Sequence, residues 1–286
     1  MLLFRFGEKD QEKPGVVIGE TKKDCSAHFT DWNREFFNNN GLEALKSLVD
    51  DGGGGLPDVP DGIRYGSCVA RPGTLMCIGL NYSDHAEESG MEPPPEPVIF
   101  QKVSNAVIGP YDDVIIPKGS RKTDWEVELG VVIGQDALYL DSVEEAENYI
   151  AGYCISQDVS ERAFQLEREG QWTKGKSCPT FNPLGPYLYP ASDIGDANNL
   201  AMELKVNGEI KQNGNTKNMI FSPSFLVHYL SQFMLLEAGD VLSTGTPAGV
   251  GAGMTPPQFL RSGDVVELSI EKLGTQKQTF KAYQTN

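Results

Sequence analysis

Short runs of β-branched and aromatic residues, bounded by Gly, Pro or Asp, recur along most of the chain and predict strands. They fall at residues 15–19, 74–79, 97–101, 113–116, 125–133 and 264–270. Residues 204–211 read as a hairpin, because Asn207-Gly208 supplies the two positive-φ residues of a type I′ turn. Helical patterns are fewer. One covers residues 42–49. A second opens at the Ser142/Glu145 capping box and runs to about residue 151. A third spans 160–169 and stops at Gly170, and a fourth spans 225–236 behind Ser222 and Pro223, with Gly239 past its end. Strands outnumber helices and do not alternate with them strictly, so the pattern predicts a β-rich α+β fold rather than a doubly wound sheet. The cluster of Gly, Pro and Asp at residues 50–62 marks a linker or long exposed loop. It divides a small N-terminal domain (1–65, linker included) from a large domain (66–286). The first is too small to carry much core alone and is expected to pack on the second.

Composition narrows the function classes. The 286 residues carry 40 acidic and 24 basic side chains, a formal charge of −16, which disfavours nucleic acid and anionic membranes as partners. An anionic substrate therefore needs a local cation to draw it in. A hydrophobic share of 39% supports a sizeable core. No apolar run approaches the roughly 18 residues of a membrane span, and residues 1–7 do not read as a signal peptide. Five scattered cysteines without a Cys-x-x-Cys pair fit reduced thiols in a cytoplasm.

The informative stretch is Trp125-Glu126-Val127-Glu128-Leu129, followed by Gly-Val-Val-Ile. In a strand, Glu126 and Glu128 point to one face about 7 Å apart, and the apolar continuation suggests a central strand covered on both sides. Spacing alone also permits an amphipathic edge strand with a solvated acidic face. A third carboxylate, Asp158, ends a strand-like run at residues 152–157, where by itself it would read as a helix N-cap. Converging at strand ends, the three would make an all-oxygen site suited to Mg²⁺ or Mn²⁺. Zinc is disfavoured, because His28, His85 and His228 lie far apart. Asp124 reads as structural. On one helical turn Glu88 can orient His85, the usual arrangement of a general base near neutral pH. Lys176 follows Gly175, which would let backbone approach a ligand. Residues 243–251, rich in glycine and hydroxyls, lack a P-loop or dinucleotide fingerprint but could offer donors to a small carboxylate.

Taken together, residues 77–85, 123–134, 152–162, 174–177 and 242–251, in this order, resemble the fumarylacetoacetate hydrolase family. The resemblance covers about residues 70–275. It implies a β-rich, roll-like core behind a small variable N-terminal domain, and a homodimer. It implies Mg²⁺ or Mn²⁺ held by Glu126, Glu128 and Asp158, a His85/Glu88 dyad on a mobile lid, and Lys176 as the active-site lysine. Substrate contacts map to Arg162, Gln165 and Thr246, with Lys102 as a further candidate. Arg162-Ala-Phe-Gln165 departs from the commoner Arg-Asp-Leu-Gln and looks like the subgroup of ureidoglycolate lyases and 2,4-diketo-3-deoxy-sugar-acid hydrolases. The implied activity is hydrolysis of the C–C bond of a small anionic 2,4-dioxo acid. Ureidoglycolate lysis, or decarboxylation or isomerisation of an oxo acid, would use the same metal site. A non-catalytic acidic module binding Ca²⁺ or a partner protein would have no use for His85, Glu88 and Lys176.

Overall fold

The computed structural model describes residues 1–52, 55–88, 90 and 92–285, so Gly53 and Gly54 of the predicted linker and two residues beyond Glu88 lie outside it. Three main sheets organise the described residues. The central one has six strands, in the order Tyr189–Pro190, Ile150–Gln157, Val127–Ile133, Val241–Ser243, Leu75–Gly79 and Val98–Lys102. A five-stranded sheet runs Glu209–Asn215, Ala201–Val206, Val265–Ile270, Gly274–Ala282 and Val114–Ile116. Leu2–Phe6, Lys13–Ile18 and Thr21–Asp24 form a small N-terminal meander. The result is a mixed, strand-rich α+β fold. No helix among the described residues is long and apolar enough to cross a membrane.

The strand Val127–Ile133 lies third of six in the central sheet and is buried throughout, as a run apolar on both faces requires. Its odd-numbered residues, Leu129 and Val131, pack with Leu204, Leu268 and Phe280 in a core between the two large sheets. On the opposite face, Val132, Val241, Leu75, Phe100 and Cys154 pack against Leu3, Trp32, Phe36 and Leu45 from the N-terminal segment. That segment therefore shares its core with the central sheet.

Local signals explain most element boundaries. Asn207 (φ 51°) and Gly208 (φ 83°) make the predicted hairpin turn between Ala201–Val206 and Glu209–Asn215. Ser222 accepts from Phe225 N to cap Pro223–Ser231, which ends earlier than the pattern predicts. Ser142 caps Val143–Ala146, but a 3₁₀ turn follows and the chain is already a strand at Ile150. The helix expected from residue 160 begins at Arg162, because Ser160 and Glu161 pair with Asp124 and Thr123 as a short strand. Asp158 consequently caps no helix.

Candidate active site

The carboxylates meet because of strand register. Ser156 lies opposite Glu128 in the ladder, and the next turn brings Asp158 N–H onto the Glu126 carbonyl at 3.0 Å. Partners opposite one another share a face, so Glu126, Glu128 and Asp158 project together. One ligand oxygen or more from each lies within 4.8 Å of the others, and all three residues are buried. Burial rules out a solvated acidic edge.

Three cations surround the cluster unequally. Lys176 Nζ donates to Glu126 Oε2 at 2.8 Å and Asp158 Oδ2 at 2.7 Å, and stands 5.0 Å from the Phe100 ring centre. Arg162 Nη2 lies 2.7 Å from Glu126 Oε1, while its Nε donates to Asp124 Oδ2 and its Nη1 to Gln165 Oε1. Lys102 donates to Asp158 Oδ1 and, at 2.7 Å, to the Phe181 carbonyl. Lys102 and Asp158 sit four strands apart in the central sheet, about 19 Å if it were flat, so their contact shows how tightly the sheet curls.

The electrostatics follow from this distribution. Burial raises the Glu126 carboxyl, but Lys176 and Arg162 outweigh it and hold the group below the ordinary carboxylate range. Burial would lower Lys176, yet Asp158 and Glu126 keep its ammonium above the usual range. Among the described residues no cation contacts Glu128. Desolvation, with the charges of Asp158 and Glu126, pushes its carboxyl well up, and among those residues only the Gly245 N–H donates to it, at 3.0 Å. A divalent cation fits this donor set: three converging carboxylate oxygens, one of them on a buried group that no cation among the described residues contacts directly. Glu126, Glu128 and Asp158 would hold it.

Glu126 and Glu128 line a cavity of about 590 Å³, with Asp158 buried behind them, and His85, Glu88, Arg162, Gln165, Lys176 and Thr246 line it too. His85 and Glu88 lie on the short helix Ser83–Glu88, with His85 Nδ1 3.2 Å from Glu88 Oε2. The Glu88 carboxylate also accepts from Gly249 N–H at 3.0 Å, which seats the helix against the glycine-rich loop. If Nδ1 carries the proton toward Glu88, Nε2 is the basic nitrogen of His85.

Four sequence expectations need correcting. Lys102 lies outside the cavity lining with its ammonium fully buried, so it braces Asp158 and has no free face for substrate. Thr246 lines the cavity, but its hydroxyl proton goes to the Val127 carbonyl at 2.9 Å and its oxygen accepts from Gln212. Gly175 is small because a Cβ would lie 2.5 Å from Gln165 N and 2.6 Å from the Glu161 carbonyl; it admits a neighbouring helix, not a ligand. Asp124 does more than support its strand. It accepts from Gly251 and Ala252 N–H as well as Arg162, tying the glycine-rich loop to the arginine. Sequence inspection missed that link, because a lone aspartate before a strand carries no signal of a partner 127 residues away.

The comparisons with known proteins agree with this geometry. A Burkholderia multivorans protein, provisionally named a hydrolase, is 47% identical over 284 residues, 99% of each chain. Fumarylacetoacetate hydrolase from Exiguobacterium antarcticum superposes with a TM-score of 0.85 at 32% identity, covering 99% of this chain and 100% of its own. Maleylpyruvate hydrolase from Sphingobium sp. SYK-6, solved with manganese(II) and pyruvate, superposes with a TM-score of 0.80 at 25% identity, again over 99% and 100%. The family description "Fumarylacetoacetate (FAA) hydrolase C-terminal" matches residues 74–281, the whole stretch that builds the cleft. The chain belongs to the fumarylacetoacetate hydrolase family.

Proposed function

We propose that this protein is a divalent-metal-dependent hydrolase that cleaves the C3–C4 bond of a 2,4-dioxo acid of the acylpyruvate type. The observation that carries the reading is a buried carboxylate triad, two of whose members line one cavity with a carboxylate-oriented imidazole and a buried lysine. Mg²⁺ or Mn²⁺ on Glu126, Glu128 and Asp158 would supply Lewis-acid polarisation of the substrate's 2-oxo and carboxylate oxygens. His85, held by Glu88, takes a proton from water as the oxygen attacks C4. The C3–C4 bond then breaks, its electrons pass toward C2 as an enolate, and C3 gains a proton to give pyruvate beside a second acid. Lys176, kept cationic by Asp158 and Glu126, offsets the charge as it develops. Arg162 and the Gln165 amide orient the substrate carboxylate. The maleylpyruvate hydrolase relative supports the acylpyruvate class.

Turnover of acylpyruvates, sugar-derived dioxo acids, oxaloacetate and ureidoglycolate with added Mg²⁺ tests the reaction. Single-turnover cleavage by His85→Ala should fall by a factor of about 10² to 10⁴, as for loss of a general base, while oxalate still binds. Full activity in that variant would overturn water activation and favour decarboxylation or isomerisation.

A further inference from the structure

The cavity is lined by a small charged cluster and a larger apolar set. Its cationic lining residues, among those described, are Arg162 and Lys176, and both touch the triad. Beside them the larger apolar lining residues are Leu80, Leu166, Trp172, Val250, Met254 and Pro257, and Gln165, Thr246 and Thr255 are neutral polar ones. Trp172 is fixed there, its ring 5.3 Å from that of Phe100 and packed so closely on Gly79 that a Cβ would lie 2.6 Å away. Leu80 has φ of +55°, a left-handed conformation costly for a branched side chain, yet the fold holds it at the cavity edge.

Charge points the same way. Around the triad, four carboxylates (Asp124, Glu126, Glu128 and Asp158) stand against three cations (Lys102, Arg162 and Lys176). With all four ionised, one negative charge is left over, which a dication would turn into one positive charge. A single anionic head balances that. A second carboxylate on the far end of the substrate would find no third lysine or arginine among the described lining residues, inside a chain already at −16.

Resting on the dioxo-acid reading above, we infer that the substrate is a monoacid. Its C4 acyl group is uncharged and apolar, short alkyl to aromatic in size, and is neither a dicarboxylate nor a polyhydroxylated sugar chain.

Binding of uncleavable analogues tests the apolar lining apart from catalysis. With saturating Mg²⁺, calorimetry compares 2-oxohexanoate with 2-oxoadipate, which share the 2-oxo acid head and differ at C6, methyl against carboxylate. The monoacid should bind at least about ten-fold more tightly, since the far carboxylate loses hydration without gaining a partner. Leu166→Arg, at a position 58% exposed that tolerates a long side chain, should narrow or reverse the preference. Equal or tighter binding of 2-oxoadipate by the wild type would overturn the inference and leave the proposed reaction standing. Failure of both analogues to bind while oxalate does would overturn the oxo-acid reading as well.

Discussion

Glu128 is the residue on which the site's response to pH and metal turns. Its carboxyl holds a proton more tightly in the folded chain than in the unfolded one, so ionisation subtracts stability as pH climbs above the ordinary glutamate value of about 4.3. Glu128→Gln keeps an acceptor for Gly245 N–H but cannot ionise. In metal-free buffer at pH 8 its melting temperature should equal or exceed that of the wild type, and the gap should close near pH 4. The wild type should gain stability from Mg²⁺ increasingly with pH, because cation and proton compete for the same carboxylate, and the variant should lose most of that gain. Thermal denaturation across the pH range, with and without Mg²⁺, checks both halves. Lys102 behaves differently. Lys102→Met preserves chain length but leaves Asp158 and the Phe181 carbonyl without their donor, so urea denaturation should show a loss of about 3 kcal/mol or more. At this scale the shared face of Glu126 and Glu128 was legible from their alternation, but their burial was not, since spacing alone fits a solvated edge as well. The bracing role of Lys102 was not, since it depends on the curl that brings an edge strand back to Asp158.

Among the elements, the helix Ser83–Glu88 matters most, because one carboxylate, Glu88, ties its C-terminal end to the glycine-rich loop. Gly253 lies beneath that carboxylate, and a Cβ there would come within 2.7 Å of Glu88 Cδ. Gly253→Ala should push Glu88 off both His85 and Gly249 while leaving the triad intact. Turnover is expected to fall by roughly ten-fold, less than for removing the base outright, with Mg²⁺ affinity by calorimetry unchanged. Equal loss of both would place the glycine in the fold rather than in the seating of the base. The hairpin at Asn207-Gly208 and the cap at Ser222 could be read from sequence because a local turn or cap dictates them. The strand Gly274–Ala282 escaped because two of its three inward residues, Gln276 and Gln278, are glutamines. Gln276 spends its amide on the carbonyls of Ile155 and Gly185, so the buried face carries little apolar alternation.

For the molecule as a whole, the boundary near residue 65 reflects composition rather than packing. Trp32 is fully buried, its indole N–H on the Phe4 carbonyl at 2.8 Å, within the cluster that covers the same face of the central sheet as Glu128, farther along the strand. Gly and Pro mark where a chain is irregular, and they say nothing of which faces it covers. The strand Val127–Ile133 consequently belongs to two cores at once, and opening either one disturbs the backbone that aims Glu128. Reciprocity then requires a ligand of the carboxylates to hold the N-terminal meander shut. Trypsin offers a readout at Lys22 and Lys23 in the strand Thr21–Asp24, where cleavage needs the meander to open. Mg²⁺ should slow that cut in the wild type and leave its rate unchanged in Glu128→Gln, so that proteolysis at one edge of the chain keeps time with a cation it never touches.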